Sequence, residues 1–92
     1  MRFEWDPQKT EANLRLHGVS FAEAVTIFED DFALSREDDD PARSSASSVS
    51  GWSDAANLLV VVYAYRDPDV IRVISAWKAN KHQRELYEEG RS

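Results

Sequence analysis

The sequence predicts an α+β domain: a small antiparallel sheet packed with two N-terminal helices and one C-terminal helix. Three observations predict it. Residues 57–65, Asn-Leu-Leu-Val-Val-Val-Tyr-Ala-Tyr, are β-branched, aromatic and too continuous for a solvated strand, so this strand is central. Residues 70–77 form a second such run after the turn Asp67-Pro68-Asp69, which makes the two an antiparallel pair. Helix caps and helical spacing mark two segments before this pair and one after it.

Taken in order, Arg2-Phe3-Glu4-Trp5 alternates polar and apolar residues and reads as a short strand. Asp6 is a good N-cap and Pro7 suits the first helical position, so a helix runs from Pro7 to His17, where Gly18 stops it. Ser20-Phe21-Ala22-Glu23 is a capping box with Val19 as its hydrophobic staple; Phe21, Ala24, Val25 and Phe28 then define an amphipathic helix over residues 21–28. Glu29-Asp30-Asp31 places three acids at the helix end that the dipole disfavours. Phe32-Ala33-Leu34 reads as a short strand and Glu37-Asp38-Asp39-Asp40-Pro41 as a charged loop. Residues 43–53 hold six serines, which fits a flexible loop by composition or an edge strand over Ala46–Trp52. Asn80 caps a last helix through Glu89, and Gly90 ends it.

Composition bounds the function. The 92 residues fit one small domain, 1–92, which buries only about 60–65% of its unfolded surface. The absence of cysteine rules out a disulfide scaffold and thiolate metal sites and suits a reducing cytoplasm. No apolar run approaches the roughly 20 residues that span a bilayer, and the first residues lack a signal-peptide core, so no membrane partner is expected. The net charge of −6 comes from 11 basic and 17 acidic residues and argues against a general nucleic-acid coat. Its distribution is uneven: residues 1–51 carry the whole excess of acid, and residues 52–92 balance.

No metal or cofactor is expected. His17 and His82 are far apart, and Asp38-Asp39-Asp40 lacks the spacing and glycine of a calcium loop. Phosphate-cradling glycine loops are absent, and the serines have no nearby histidine. A basic cluster remains on the last strand and helix. Strict alternation puts Arg72, Ile74, Ala76 and Lys78 on one strand face and Ile71, Val73, Ser75 and Trp77 on the other. An arginine among valines and isoleucines is costly to bury unpaired, so its face is open or supplies a carboxylate. Arg66 lies at the turn, Lys81 and Arg84 share a helix edge, and His82, Tyr87, Tyr63 and Tyr65 are near in sequence. Such a set can grip phosphate, move protons near neutral pH and stack on bases. It can equally be a solvated helix edge, with Arg84 paired to Glu88 and Arg72 ion-paired structurally.

The chain resembles the BrnT family of toxins from type II toxin–antitoxin modules. The resemblance rests on Phe3-Glu4-Trp5-Asp6 with Lys9 and Asn13, on His17-Gly18-Val19-Ser20-Phe21, on Leu58-Leu59-Val60-Val61-Val62, and on Arg72-Val73-Ile74-Ser75-Ala76 with Lys78-Ala79 and Tyr87-Glu88-Glu89. It implies a RelE-like fold, metal-independent cleavage of cellular RNA, and a BrnA-like antitoxin through which alone operator DNA is contacted. A homodimer or a toxin–antitoxin heterotetramer is implied too. Arg72 and Lys78 match basic positions near the family's RNA site, and Lys9 and His17 match its opening helix. Catalysis is thus expected from Arg72, Lys78, Arg66 and His82, and substrate binding from Lys81, Arg84, Tyr63 and Tyr87. The chain departs from the family pattern at Trp77 and Ala46, where arginine is usual. It departs also at Gln83 for glutamate, Tyr63 for histidine and Leu16 for lysine. These departures sustain an alternative, a binding module without catalysis that sequesters an antitoxin or co-represses its operon. A homodimeric scaffold joined through Trp5, Trp52 and Trp77 is a third reading.

Overall fold

The computed structural model describes residues 2–37 and 46–91. Five strands and three α-helices follow one another as β1 (Arg2–Glu4), α1 (Pro7–His17), α2 (Phe21–Ala24), a 3₁₀ helix (Val25–Glu29), β2 (Leu34–Glu37), β3 (Ala46–Trp52), β4 (Leu58–Asp67), β5 (Val70–Lys78) and α3 (Lys81–Arg91). The strands form one sheet in the order β1-β5-β4-β3-β2. The α+β class is as the sequence predicts, but the sheet is mixed: β1 lies parallel to β5, with Glu4 opposite Arg72. After β1, α1 packs back along β5.

The caps form largely as read. The Asp6 carboxylate accepts the Gln8 N–H at 2.8 Å. Gly18 takes φ 71° and donates its N–H to the Leu14 carbonyl, a conformation that glycine adopts without penalty. The Ser20 hydroxyl accepts the Glu23 N–H, but Glu23 does not return the bond. Its carboxylate instead accepts from Ser53 Oγ at 2.7 Å and Asn57 Nδ2 at 2.8 Å, fastening α2 to the β3–β4 turn. The predicted second helix tightens into a 3₁₀ turn at Val25. Val25-Thr26-Ile27 are three β-branched residues, and Thr26 Oγ1 bonds back to the Glu23 carbonyl at 2.7 Å.

Asp30 explains the misplaced acids. Its carboxylate accepts the Phe32 and Trp52 N–H groups, each at 2.9 Å, and the Tyr87 hydroxyl at 2.5 Å. The turn it holds occupies Phe32 and Ala33, so β2 starts at Leu34 rather than Phe32. The serine-rich stretch is strand β3 with the bounds read from the sequence, but it is internal, with β2 paired outside it. Gly51 lies so close to the 3₁₀ helix that a Cβ would stand 3.2 Å from the Ile27 carbonyl oxygen. The final helix continues through Gly90 to Arg91 instead of stopping at Gly90. The acids Asp38, Asp39 and Asp40 lie outside the described residues.

One sheet face carries the core: Val49, Leu59, Val61, Tyr63, Ile71, Val73 and Ala76 meet Val19, Phe21, Ala24 and Ile27. Beyond Arg72 the outer edge of β5 has no strand partner among the described residues. Asn13, 6% exposed, fills that place. Its Nδ2 donates to the Ala76 and Val19 carbonyls at 2.8 Å, and its Oδ1 accepts the Ala76 N–H at 3.2 Å and Ser75 Oγ at 3.3 Å. The amide thus mimics one residue of a neighbouring strand. Asn13→Ala leaves several buried backbone groups unpaired and is expected to cost about 3 kcal/mol. Asn13→Asp, which cannot donate, is expected to cost at least as much, as urea denaturation will show.

Candidate nucleic-acid interface

Val62 pairs with Ser75 and Tyr63 with Val73, so Ile74 is an extra residue, a bulge. The bulge reverses the strand's alternation. Val73 and Ala76 therefore share the core face, and strict period-two assignment fails beyond Val73. Arg72 points to the opposite, open face. Lys78, paired with the core residue Leu59, lies on the core side of the sheet and is exposed. Six residues at about 3.3 Å each also separate Arg72 and Lys78 by roughly 20 Å. They do not form one pocket.

Helix α3 covers one end of the open face. Leu34, Ser48, Ser50 and Val60 meet Gln83 and Leu86 there around a cleft of about 140 Å³. Lys81, His82 and Arg84 are exposed on its first turn, where cations oppose the helix dipole. Arg84 lies 5.5 Å from the Trp52 ring centroid. Asn80 and Gln83 exchange bonds, the Gln83 N–H to Asn80 Oδ1 at 2.8 Å and the Asn80 N–H to Gln83 Oε1 at 3.0 Å. Trp77 Nε1 also donates to Gln83 Oε1 at 3.4 Å, so two departures from the family pattern touch each other.

The other end of the open face holds a charged row. By register Glu4, Arg72, Ala64 and Ala46 stand side by side across four strands. Arg66 is the extra residue of a second irregularity, between Tyr65 and Asp67. Its Nη1 reaches Glu4 Oε2 at 2.7 Å, and Arg72 Nη1 reaches the same oxygen at 2.9 Å. The side chains of Arg66, Arg72 and Glu4 are 64%, 39% and 31% exposed, so solvent and ligands reach all three. Bonds from Arg66, then Arg72, hold the Glu4 carboxyl below its ordinary value of 4.5. Glu4 is the residue that sequence reasoning missed. The signal was there, because an arginine in a central strand calls for a carboxylate, but only the parallel pairing identifies which one.

Two tyrosines expected at the substrate are core residues. Tyr63 is 5% exposed and packs edge-on against Phe28 and Tyr65. Burial pushes its phenol above the usual value of 10.0, so it stays protonated at neutral pH. Tyr87 is 1% exposed, with its hydroxyl on Asp30. Trp5, Trp52 and Trp77 are half-buried against Phe21, Arg84 and His17, which removes the exposed aromatic surface the scaffold reading required.

The model of a family described as "Ribonuclease toxin, BrnT, of type II toxin-antitoxin system" matches residues 5–83. The chain belongs to the BrnT toxin family. The fold agrees with the 1.1 Å crystal structure of the Brucella abortus ribonuclease toxin BrnT, at TM-score 0.67 and 20% identity. The match covers 88% of this chain and 99% of that one. No match is found among curated proteins. Membership in the BrnT family makes the chain a toxin of a type II toxin–antitoxin system, with an antitoxin as partner. No helix among the described residues is long and apolar enough to cross a membrane.

Two outcomes follow from this geometry. Tyr87→Phe removes a bond to a carboxylate and is expected to lower stability by about 2 kcal/mol, measured by urea denaturation. Glu4 stabilises the fold above its unfolded titration range, because its folded pKa is depressed. That contribution is lost as pH falls below 4.5 through the folded value. The stability difference between wild type and Glu4→Gln, followed by denaturation from pH 6 to 3, is expected to shrink at the acid end.

Proposed function

We propose that this chain is a RelE-like, metal-independent endoribonuclease toxin that cleaves cellular RNA in the cytoplasm and stops translation and growth. A BrnA-like antitoxin neutralises it, in a toxin–antitoxin heterotetramer that reaches operator DNA only through the antitoxin. The observation that carries this reading is the convergence of Arg66 and Arg72 on one point of the open sheet face. Guanidinium groups bind phosphate in a two-pronged geometry. In attack by a ribose 2′-hydroxyl, the hydroxyl proton passes to water and the new O–P bond forms as the bond to the 5′-oxygen breaks; that oxygen takes a proton from water, a 2′,3′-cyclic phosphate remains, and extra negative charge develops on the phosphoryl oxygens on the way. Two arginines beside that phosphorus stabilise the charge, and the small side chain of Ala64 leaves room for the backbone. Arg84, beside the Trp52 ring, lies toward the far end of the same face and, with the exposed Lys81 and His82 of the same helix turn, is assigned to the track of flanking nucleotides. Lys78, on the other side of the sheet, has no part in this track.

Arg72→Ala is expected to reduce cleavage of total RNA by about 100-fold or more and to abolish growth arrest, with the melting curve of a folded protein. Full toxicity in that variant would remove Arg72 from the site. The engagement of both arginines by Glu4 favours a second reading, a module that binds antitoxin without catalysis. Under that reading, induction of the wild-type chain leaves cells growing and transcripts whole while antitoxin still co-purifies.

A further inference from the structure

Glu4 Oε2 receives both Arg66 Nη1 and Arg72 Nη1, at 2.7 and 2.9 Å. One anionic oxygen between two guanidiniums is the arrangement a phosphate oxygen would adopt there. Two guanidiniums thus share a single carboxylate oxygen. The backbone that bears the carboxylate is held in place: β1 pairs with β5 from Arg2 to Glu4, and the Arg2 N–H adds a 2.7 Å bond to the Asp69 carbonyl. The Glu4 backbone therefore stays opposite Arg72, and the carboxylate stays within reach of the guanidinium. A phosphate that engages both arginines must therefore displace their contacts to Glu4 and approach a neighbouring negative charge.

We propose that Glu4 is a resident competitor for RNA phosphate, an autoinhibitory contact that keeps both guanidiniums aligned in the free protein and weakens their grip on the RNA backbone. The proposal rests on the ribonuclease reading for the identity of its ligand. It gives the site a built-in threshold. A polyanion that also contacts flanking cations overcomes the competition, whereas an isolated phosphate gains little. Affinity at this site is then set by length of strand as much as by any one contact.

The test uses the full-length protein and a short single-stranded RNA carrying 2′-O-methyl groups on every ribose, which binds but cannot be cut. Fluorescence anisotropy gives its Kd across a salt series for wild type and for Glu4→Gln. Glu4→Gln is expected to bind about 10-fold more tightly. Its plot of log affinity against log salt should steepen by about 0.7, the counterion release of one further phosphate contact on a single strand. Unchanged or weaker binding, or an unchanged slope, overturns the proposal and makes Glu4 a plain organiser of the arginines. Should Glu4→Gln fail to fold, Glu4→Asp decides. It keeps the charge but withdraws it by one methylene, so intermediate tightening is expected, and none is the overturning result. Cleavage of unmodified RNA is scored in parallel. Tighter binding by the variant with no cleavage by any form leaves the competitor standing and removes the ribonuclease reading. Cleavage by wild type with no tightening in the variant does the reverse.

Discussion

Three residues of β1 run parallel to the first three of β5, and this short ladder puts the Glu4 carboxylate beside the Arg72 guanidinium. The pairing is parallel, and directly after it α1 crosses back along β5. The same crossing brings Asn13 to the part of β5 that β1 does not reach, where its amide takes up the Ala76 backbone groups. A backbone edge that would otherwise template aggregation is thereby closed by a side chain. Loss of this parallel start would free the edge of β5, unseat α1 and leave Arg72 without its partner.

The two sides of the sheet serve different ends. The core face is sealed by α1, α2 and the 3₁₀ helix, and its polar exceptions are satisfied: no buried side-chain nitrogen or oxygen among the described residues lacks a partner. The open face is only partly roofed by α3, which Asp30 and Tyr87 anchor. What is left exposed is a row of small and charged positions. An ion pair in such a setting contributes little to stability, because water screens it and the side chains lose freedom. Weak net pairing is what an exchangeable ligand site needs, since guanidiniums locked in a dry core would not release to an incoming phosphate.

Much of this was legible from residues alone. The Asp6-Pro7 start, the Gly18 stop, the Asn80 cap and both long strands are local signals, and local chemistry decides them. The faces of β5 were not legible, because the bulge at Ile74 has no sequence mark; alternation wrongly joined Arg72 to Ala76 and Lys78. Glu4 was hidden for a related reason, since its partners lie 62 and 68 residues away and meet it only through sheet order. Tyr63 and Tyr87 looked available because tyrosine suits both core and surface; the carboxylate of Asp30 and the edge of Phe28 settle them inside. The proposed site is narrower than the one read from sequence, with two arginines and a carboxylate in place of a broad cationic pocket.

The most direct measurement of the central claim is the resonance shift of arginine and lysine side chains as uncleavable RNA is titrated into isotopically labelled protein. The Nε–Hε signals of Arg66 and Arg72 are expected to move first and furthest, with Lys81 and Arg84 following as the strand lengthens. Shifts confined to Lys78, Lys81 and Arg84, with Arg66 and Arg72 still, would contradict it.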